Sequence, residues 1–127
     1  MMQSEVQTEA LIYAAEGGAL ATVRAVLAEG ADPNTRELTP FQCPVLACAA
    51  NLGQTAVVRY LLDQGADVNA RGPNGLTAIM LAVKRKDEEA IKFLIKRGAD
   101  PDKKSDDGTT ARIIAETKGP KRLAALL

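Results

Sequence analysis

Apolar residues along this chain fall into two kinds of short cluster, and the two kinds alternate. The first is an amphipathic stripe: in GQTAVVRYLLDQ, Val57, Val58, Leu61 and Leu62 stand at i, i+1, i+4 and i+5, on one face of a 3.6-residue helix. Val23, Val26 and Leu27 form the same stripe earlier, and Ile91, Leu94 and Ile95 form it later. Each stripe runs into a glycine, Gly30, Gly65 or Gly98, which predicts a helix stop in the left-handed conformation. The second kind is a shorter, alanine-rich helix upstream of each stripe: LIYAAEGG from Leu11, VLACAANLG from Val45, TAIMLAVKRK from Thr77 and TARIIAETKG from Thr110. Small side chains let paired helices approach closely, and Gly18, Gly53, Lys86 and Gly119 mark the breaks within the pairs.

The pairs repeat. GADPN at Gly30, GADVN at Gly65 and GADPD at Gly98 recur 35 and 33 residues apart. That period predicts a stacked array in which each unit buries its apolar face against its neighbours. The expected architecture is an all-α solenoid of helix-turn-helix units joined by hairpin loops. It forms a single domain over residues 1–127, with units near 5–34, 35–69, 70–102 and 103–127.

The pattern resembles the ankyrin repeat, whose motif runs G-x-TPLHLAA-x-x-G-x-x-x-VV-x-x-LL-x-x-GADVN, and the resemblance extends from about Glu9 to Leu127. The motif's TPLH is replaced by EALI at Glu9, TAIM at Thr77 and TARI at Thr110, which puts Ile12, Ala47, Met80 and Ile113 at the histidine position. The hydrogen bonds that this histidine makes in the family are therefore expected to be missing, with apolar packing in their place. In the last unit, Arg112 and Glu116 stand at formerly apolar positions, as expected of a terminal repeat whose outer face has no neighbour. The chain then ends on Leu126-Leu127, the last apolar pair of its second helix.

One departure bears on function. Thr77 lies five residues before Ala82, whereas Thr39 lies ten before Ala49. The second unit's first helix is thus expected to begin at Pro44, where proline is tolerated because its missing N–H would have had no intrahelical partner. Thr39-Pro40 falls into a lengthened loop, consistent with the spacing of 35. Phe41 in that loop either folds back over the helix start or stands exposed as an anchor for a partner.

Charge narrows the partner. Lys+Arg and Asp+Glu balance at 16 each, against a nucleic-acid or anionic-membrane partner, and only four aromatics are present. No apolar run spans a bilayer, and MMQSEVQTEA has no basic stretch followed by an apolar core. A cytoplasmic protein, monomeric when unbound, is expected. Histidine is absent, which removes the commonest general base and zinc ligand, so no metal, cofactor or catalytic residue is expected. Cys43 beside Arg36 and the Asp106-Asp107 pair are the strongest offers for catalysis. Asp-Asp-Gly before a helix is better explained as a turn and cap, and Cys48 as a small core residue.

The resemblance implies a protein-binding module that uses the hairpin tips and the exposed side of the first helices. The expected site comprises Arg36, Glu37, Phe41 and Gln42 in the first hairpin, with Asn51 and Leu52 beside it. Arg71, Pro73, Asn74 and Leu76 follow in the second, with Lys84 and Arg85 beyond, then Lys104, Asp106 and Asp107 in the third. Arg71, Lys84, Arg85 and Lys104 are expected to offer a carboxylate-rich partner a basic docking site, set against a plain solvated face. A compact array with one groove suits a single-target inhibitor, masking or adaptor protein. The alternative is an immunity-type or regulatory subunit of an enzyme, or an enzyme in its own right.

Overall fold

The computed structural model describes residues 2–127, with side chains from Glu5 onward. Eight α-helices follow in order: α1 (Met2–Gly17), α2 (Leu20–Ala28), α3 (Val45–Asn51), α4 (Thr55–Asp63), α5 (Ala78–Arg85), α6 (Glu88–Lys96), α7 (Ala111–Lys118) and α8 (Lys121–Leu126). Among the described residues there is no strand, only one isolated antiparallel bridge between Arg36 and Pro44. No helix among them is long and apolar enough to cross a membrane. The odd-numbered helices pack against one another in sequence, α1 on α3, α3 on α5 and α5 on α7. The even-numbered helices form a second layer, each against its own partner and the next of its kind. The fold is an all-α solenoid.

The two layers explain the two sequence patterns. Every residue of α3 from Val45 to Ala50 and of α5 from Ala78 to Val83 is buried, because these helices have neighbours on both sides and a second layer behind. Helices in the outer layer bury one stripe only, such as Val57, Val58, Leu61 and Leu62 in α4. The stripe glycines take positive φ, and Lys86 ends α5 in the left-handed region at φ 59°. Gly119 is different, since its backbone is extended and Pro120 starts α8 behind it.

Helix α1 begins at Met2, well before the Leu11 expected from the alanine-rich pattern. Met2–Ala10 contains no glycine or proline, and Glu5 in the first turn favours the positive end of the helix dipole. Pro44 stands one residue outside α3 as its N-cap, with Val45 the first helical residue.

Side chains in the GAD loops stitch the units together. The Asn34 amide donates to Gly65 O at 3.2 Å, and its carbonyl accepts from Asp67 N–H at 2.6 Å. One repeat later, Asn69 donates to Gly98 O at 3.2 Å and accepts from Asp100 N–H at 2.8 Å. Outer helices add contacts between units: Arg24 lies over Tyr60, Arg59 lies over Phe93 and pairs with Glu89, and Arg97 and Arg122 pair with Asp63 and Glu88. Exposed pairs of this kind contribute at most about 1 kcal/mol each.

At the histidine position Ile12, Ala47 and Met80 are buried, whereas Ile113 is 45% exposed, so apolar packing replaces the histidine in three units and not in the last. Arg112 in that terminal unit forms a two-pronged pair with Asp102, which accounts for a cation at a formerly apolar position. Thr110 caps α7 by accepting from Ile113 N–H at 3.1 Å, but Thr77 at the equivalent place before α5 does not cap. Its buried Oγ1 has no hydrogen-bond partner among the described residues. Replacing an unsatisfied buried hydroxyl by an apolar group of the same shape is neutral or favourable. Thr77→Val is therefore expected to raise the free energy of unfolding by about 1 kcal/mol in urea denaturation. A destabilisation of that size would mean that the hydroxyl is satisfied.

Candidate partner-binding groove

The first hairpin is held open by its own hydrogen bonds. Glu37 N–H donates to Cys43 O at 2.9 Å, and a turn at the tip is closed by Gln42 N–H donating to Thr39 O at 3.0 Å. Thr39-Pro40 thus lies at the tip, as the displaced spacing requires. Arg36 donates from Nη1 to Gln42 O and to Arg71 O at 2.7 Å, tying the first hairpin to the second. Phe41 stands 71% exposed, with Leu38 exposed beside it, so the aromatic does not fold back over α3.

Behind this tip lies a cleft of about 310 Å³ between α1, the first two hairpins, α3 and α5. Buried Ala47, Cys48 and Leu81 form its floor. Phe41, Leu52, Pro73 and Leu76 border it, with Glu16, Glu37, Asn51 and Asn74 as polar lining. Two further hollows continue it. One, lined by Glu9, Ile12, Tyr13, Glu16, Glu37 and Leu38, shares the two glutamates. The other, lined by Lys84, Ser105, Asp106 and Asp107, shares Asn74 and Leu76.

Of the expected site residues, Glu37, Phe41, Asn51, Leu52, Pro73, Asn74, Leu76, Lys84, Asp106 and Asp107 line this continuous groove. Arg36, Gln42, Arg71, Arg85 and Lys104 do not. Of the four cations expected to cluster, only Lys84 lines the groove. Arg85 crosses to the preceding unit, where it donates to Asn51 O at 3.1 Å and completes the end of α3.

Glu9, Tyr13, Glu16, Leu38 and Leu81 join the groove without having been expected there. For Tyr13, Glu16 and Leu81 the signal is the repeat register: Tyr13, Cys48 and Leu81 share one place on the first helices, and Glu16 shares another with Asn51 and Lys84.

The groove lining is acidic although the chain is neutral. Five carboxylates, Glu9, Glu16, Glu37, Asp106 and Asp107, face it together with one cation, Lys84. Among the described residues none of these carboxylates enters a salt bridge, whereas the second layer and Arg112 use theirs in pairs. Hydrogen bonds from Ser105 and Thr109 hold the Asp107 carboxyl down to about 2. It is therefore ionised at neutral pH, and the Asp-Asp-Gly segment is a turn closed by that side chain.

Cys43 and Cys48 meet in the cleft lining as free thiols, the Cys48 thiol also donating to Cys43 O at 3.8 Å. Hydrogen bonding from Cys48 pulls the Cys43 thiol below its ordinary value, against burial and Glu37. The same bond, together with burial, pushes Cys48 up. Because the thiolate is the nucleophile, iodoacetamide at pH 8 is expected to label half-buried Cys43 and spare Cys48. Peptide mass spectrometry checks this, and equal labelling of both would contradict it.

Among protein-family models, the one described as ankyrin repeats (3 copies) matches residues 2–72 and 45–127. A comparison with curated proteins gives no match.

Proposed function

The chain belongs to the ankyrin-repeat family, and we propose that it acts by covering one surface of a single partner protein, as an inhibitor, masking or adaptor protein. Members of this family are generally protein–protein interaction modules without enzymatic activity. The observation that carries the reading is the concentration of exposed apolar side chains along one groove. Of the six exposed large hydrophobics among the described residues, Tyr13, Leu38, Phe41 and Leu52 border it. Apolar anchors beside a cleft with polar margins are the usual anatomy of an interaction hot spot.

The four odd-numbered helices, at roughly 8–10 Å each, give a face about 30–40 Å long. That is room for an interface of about 800 Å² per partner. Within the Asp106-Asp107 pair, the strongest carboxylates for catalysis, the Asp107 side chain is occupied in closing a turn, which favours binding over turnover. The free protein is proposed to be monomeric, a state that light scattering reads directly.

Affinity capture from the source cells tests the reading. A Phe41→Ala, Leu52→Ser variant that remains folded by circular dichroism should lose the partner that wild type retains. An Arg24→Glu, Lys92→Glu variant, altered only on the second layer, should keep it. Loss in the second variant and retention in the first would move the interaction to the opposite face.

A further inference from the structure

We infer that the groove selects a cationic, apolar segment of its partner: one or two large apolar side chains flanked by arginine or lysine. This inference rests on the protein-binding reading and concerns the chemistry of the occupant.

Charge complementarity favours that occupant. The neutral chain divides its charge unevenly, with five carboxylates and one ammonium along the groove. Arg36 and Arg85 lie outside that lining and donate to backbone carbonyls of Gln42, Arg71 and Asn51, and among the described residues neither forms a salt bridge with these carboxylates. An acidic segment laid along Glu9, Glu16 and Glu37 would bring like charges together as water is displaced, a configuration that opposes association. A guanidinium there gains two-pronged hydrogen bonds to carboxylates that form no salt bridge among the described residues.

The apolar anchor has its own place. Buried Ala47, Cys48 and Leu81 floor the central cleft, and Phe41 and Leu52 stand over it with much of their surface exposed. Its volume of about 310 Å³ accommodates a leucine or an aromatic ring. Carboxylates lie on both flanks of that cleft, Glu16 and Glu37 at one end and, beyond Asn74 at the other, Asp106 and Asp107, which outnumber Lys84 in the same hollow. The matching segment therefore carries cations on each side of its anchor. From α1 to α5 the groove runs roughly 20–30 Å, which an extended segment of about six to nine residues spans.

Selection of a displayed random-peptide library on the full-length protein tests the inference. The expected consensus is Arg or Lys on both sides of Leu, Phe or Trp. A synthetic peptide of that consensus should bind about tenfold more weakly to a Glu9→Gln, Glu16→Gln, Glu37→Gln variant, which removes charge while keeping the side chains' shape and hydrogen bonding. Its affinity should also fall as salt rises.

An acidic or uncharged consensus, or a peptide indifferent to the glutamine variant, would overturn the inference, as would a library that yields no enriched sequence. The protein-binding reading is judged separately by Phe41→Ala. An acidic peptide that still needs Phe41 leaves the groove as the binding site with a different occupant. Peptides that ignore both variants count against the groove itself.

Discussion

Leu61→Ala is expected to lower the free energy of unfolding by about 2–5 kcal/mol. Leu61 is fully buried in α4, a helix that touches α2, α3 and α6. Removing three carbons there loses the transfer free energy and leaves a cavity that close-packed neighbours on several sides cannot fill. The position has a second consequence. In a stack each unit is stabilised by its neighbours, so a cavity in the second helix pair weakens the coupling between α1–α2 and α5–α8. Urea denaturation followed by circular dichroism should show a lower midpoint and a broader transition. A small midpoint shift with an unchanged slope would contradict stacking as the source of stability.

Gly75→Ala is expected to cost about 2–4 kcal/mol, with contributions from two causes. Gly75 has φ +73°, a conformation that an added Cβ disfavours by about 1–2 kcal/mol. That Cβ would also stand 2.6 Å from Asp106 Oδ1 and 2.9 Å from the Asp106 backbone nitrogen. The nitrogen belongs to the hydrogen bond from Asp106 to Asn74 O, 3.0 Å, that fastens the third hairpin to the second. A backbone atom cannot swing aside as a long side chain can, so the hairpins must part.

Gly98→Ala separates the two causes, since Gly98 has a similar φ of +96° with nothing within 4 Å of the added carbon. It should cost only about 1–2 kcal/mol. Thermal or urea unfolding of the two variants side by side reads the difference, and equal losses would mean that the hairpin contact contributes nothing.

Much of this architecture was legible because it is written in local rules. Glycines after apolar stripes stop helices, Pro44 sits where only the start of α3 tolerates it, and Lys86 takes the left-handed place held by Gly18 and Gly53 elsewhere. Those are properties of a few adjacent residues. The start of α1 was not legible, because Met2–Ala10 lacks the alanine pattern and nothing in it forbids a helix. Gly119 fulfilled its role as a break by a different backbone, extended before Pro120.

The character of the groove was hidden for another reason. Whether Arg36 and Arg85 face a partner depends on carbonyls 35 and 34 residues away, Arg71 O and Asn51 O, which no local pattern reveals. With these guanidiniums directed to backbone carbonyls and outside the lining, a site that reads as basic along the chain presents mainly carboxylates along the groove. The placement of Phe41 depends on non-local contacts in the same way. Its exposure follows from the turn at Thr39 and from the arginine that holds the hairpin to its neighbour.

The most direct test follows the backbone amides of isotopically labelled full-length protein by NMR while the selected peptide is added. If the groove is the binding surface, the resonances that move should come from α1, α3 and α5 and from the hairpins around Phe41, Asn74 and Asp106, leaving α2, α4 and α6 largely still. Movement confined to the second-layer helices, or none at saturating peptide, would contradict the account.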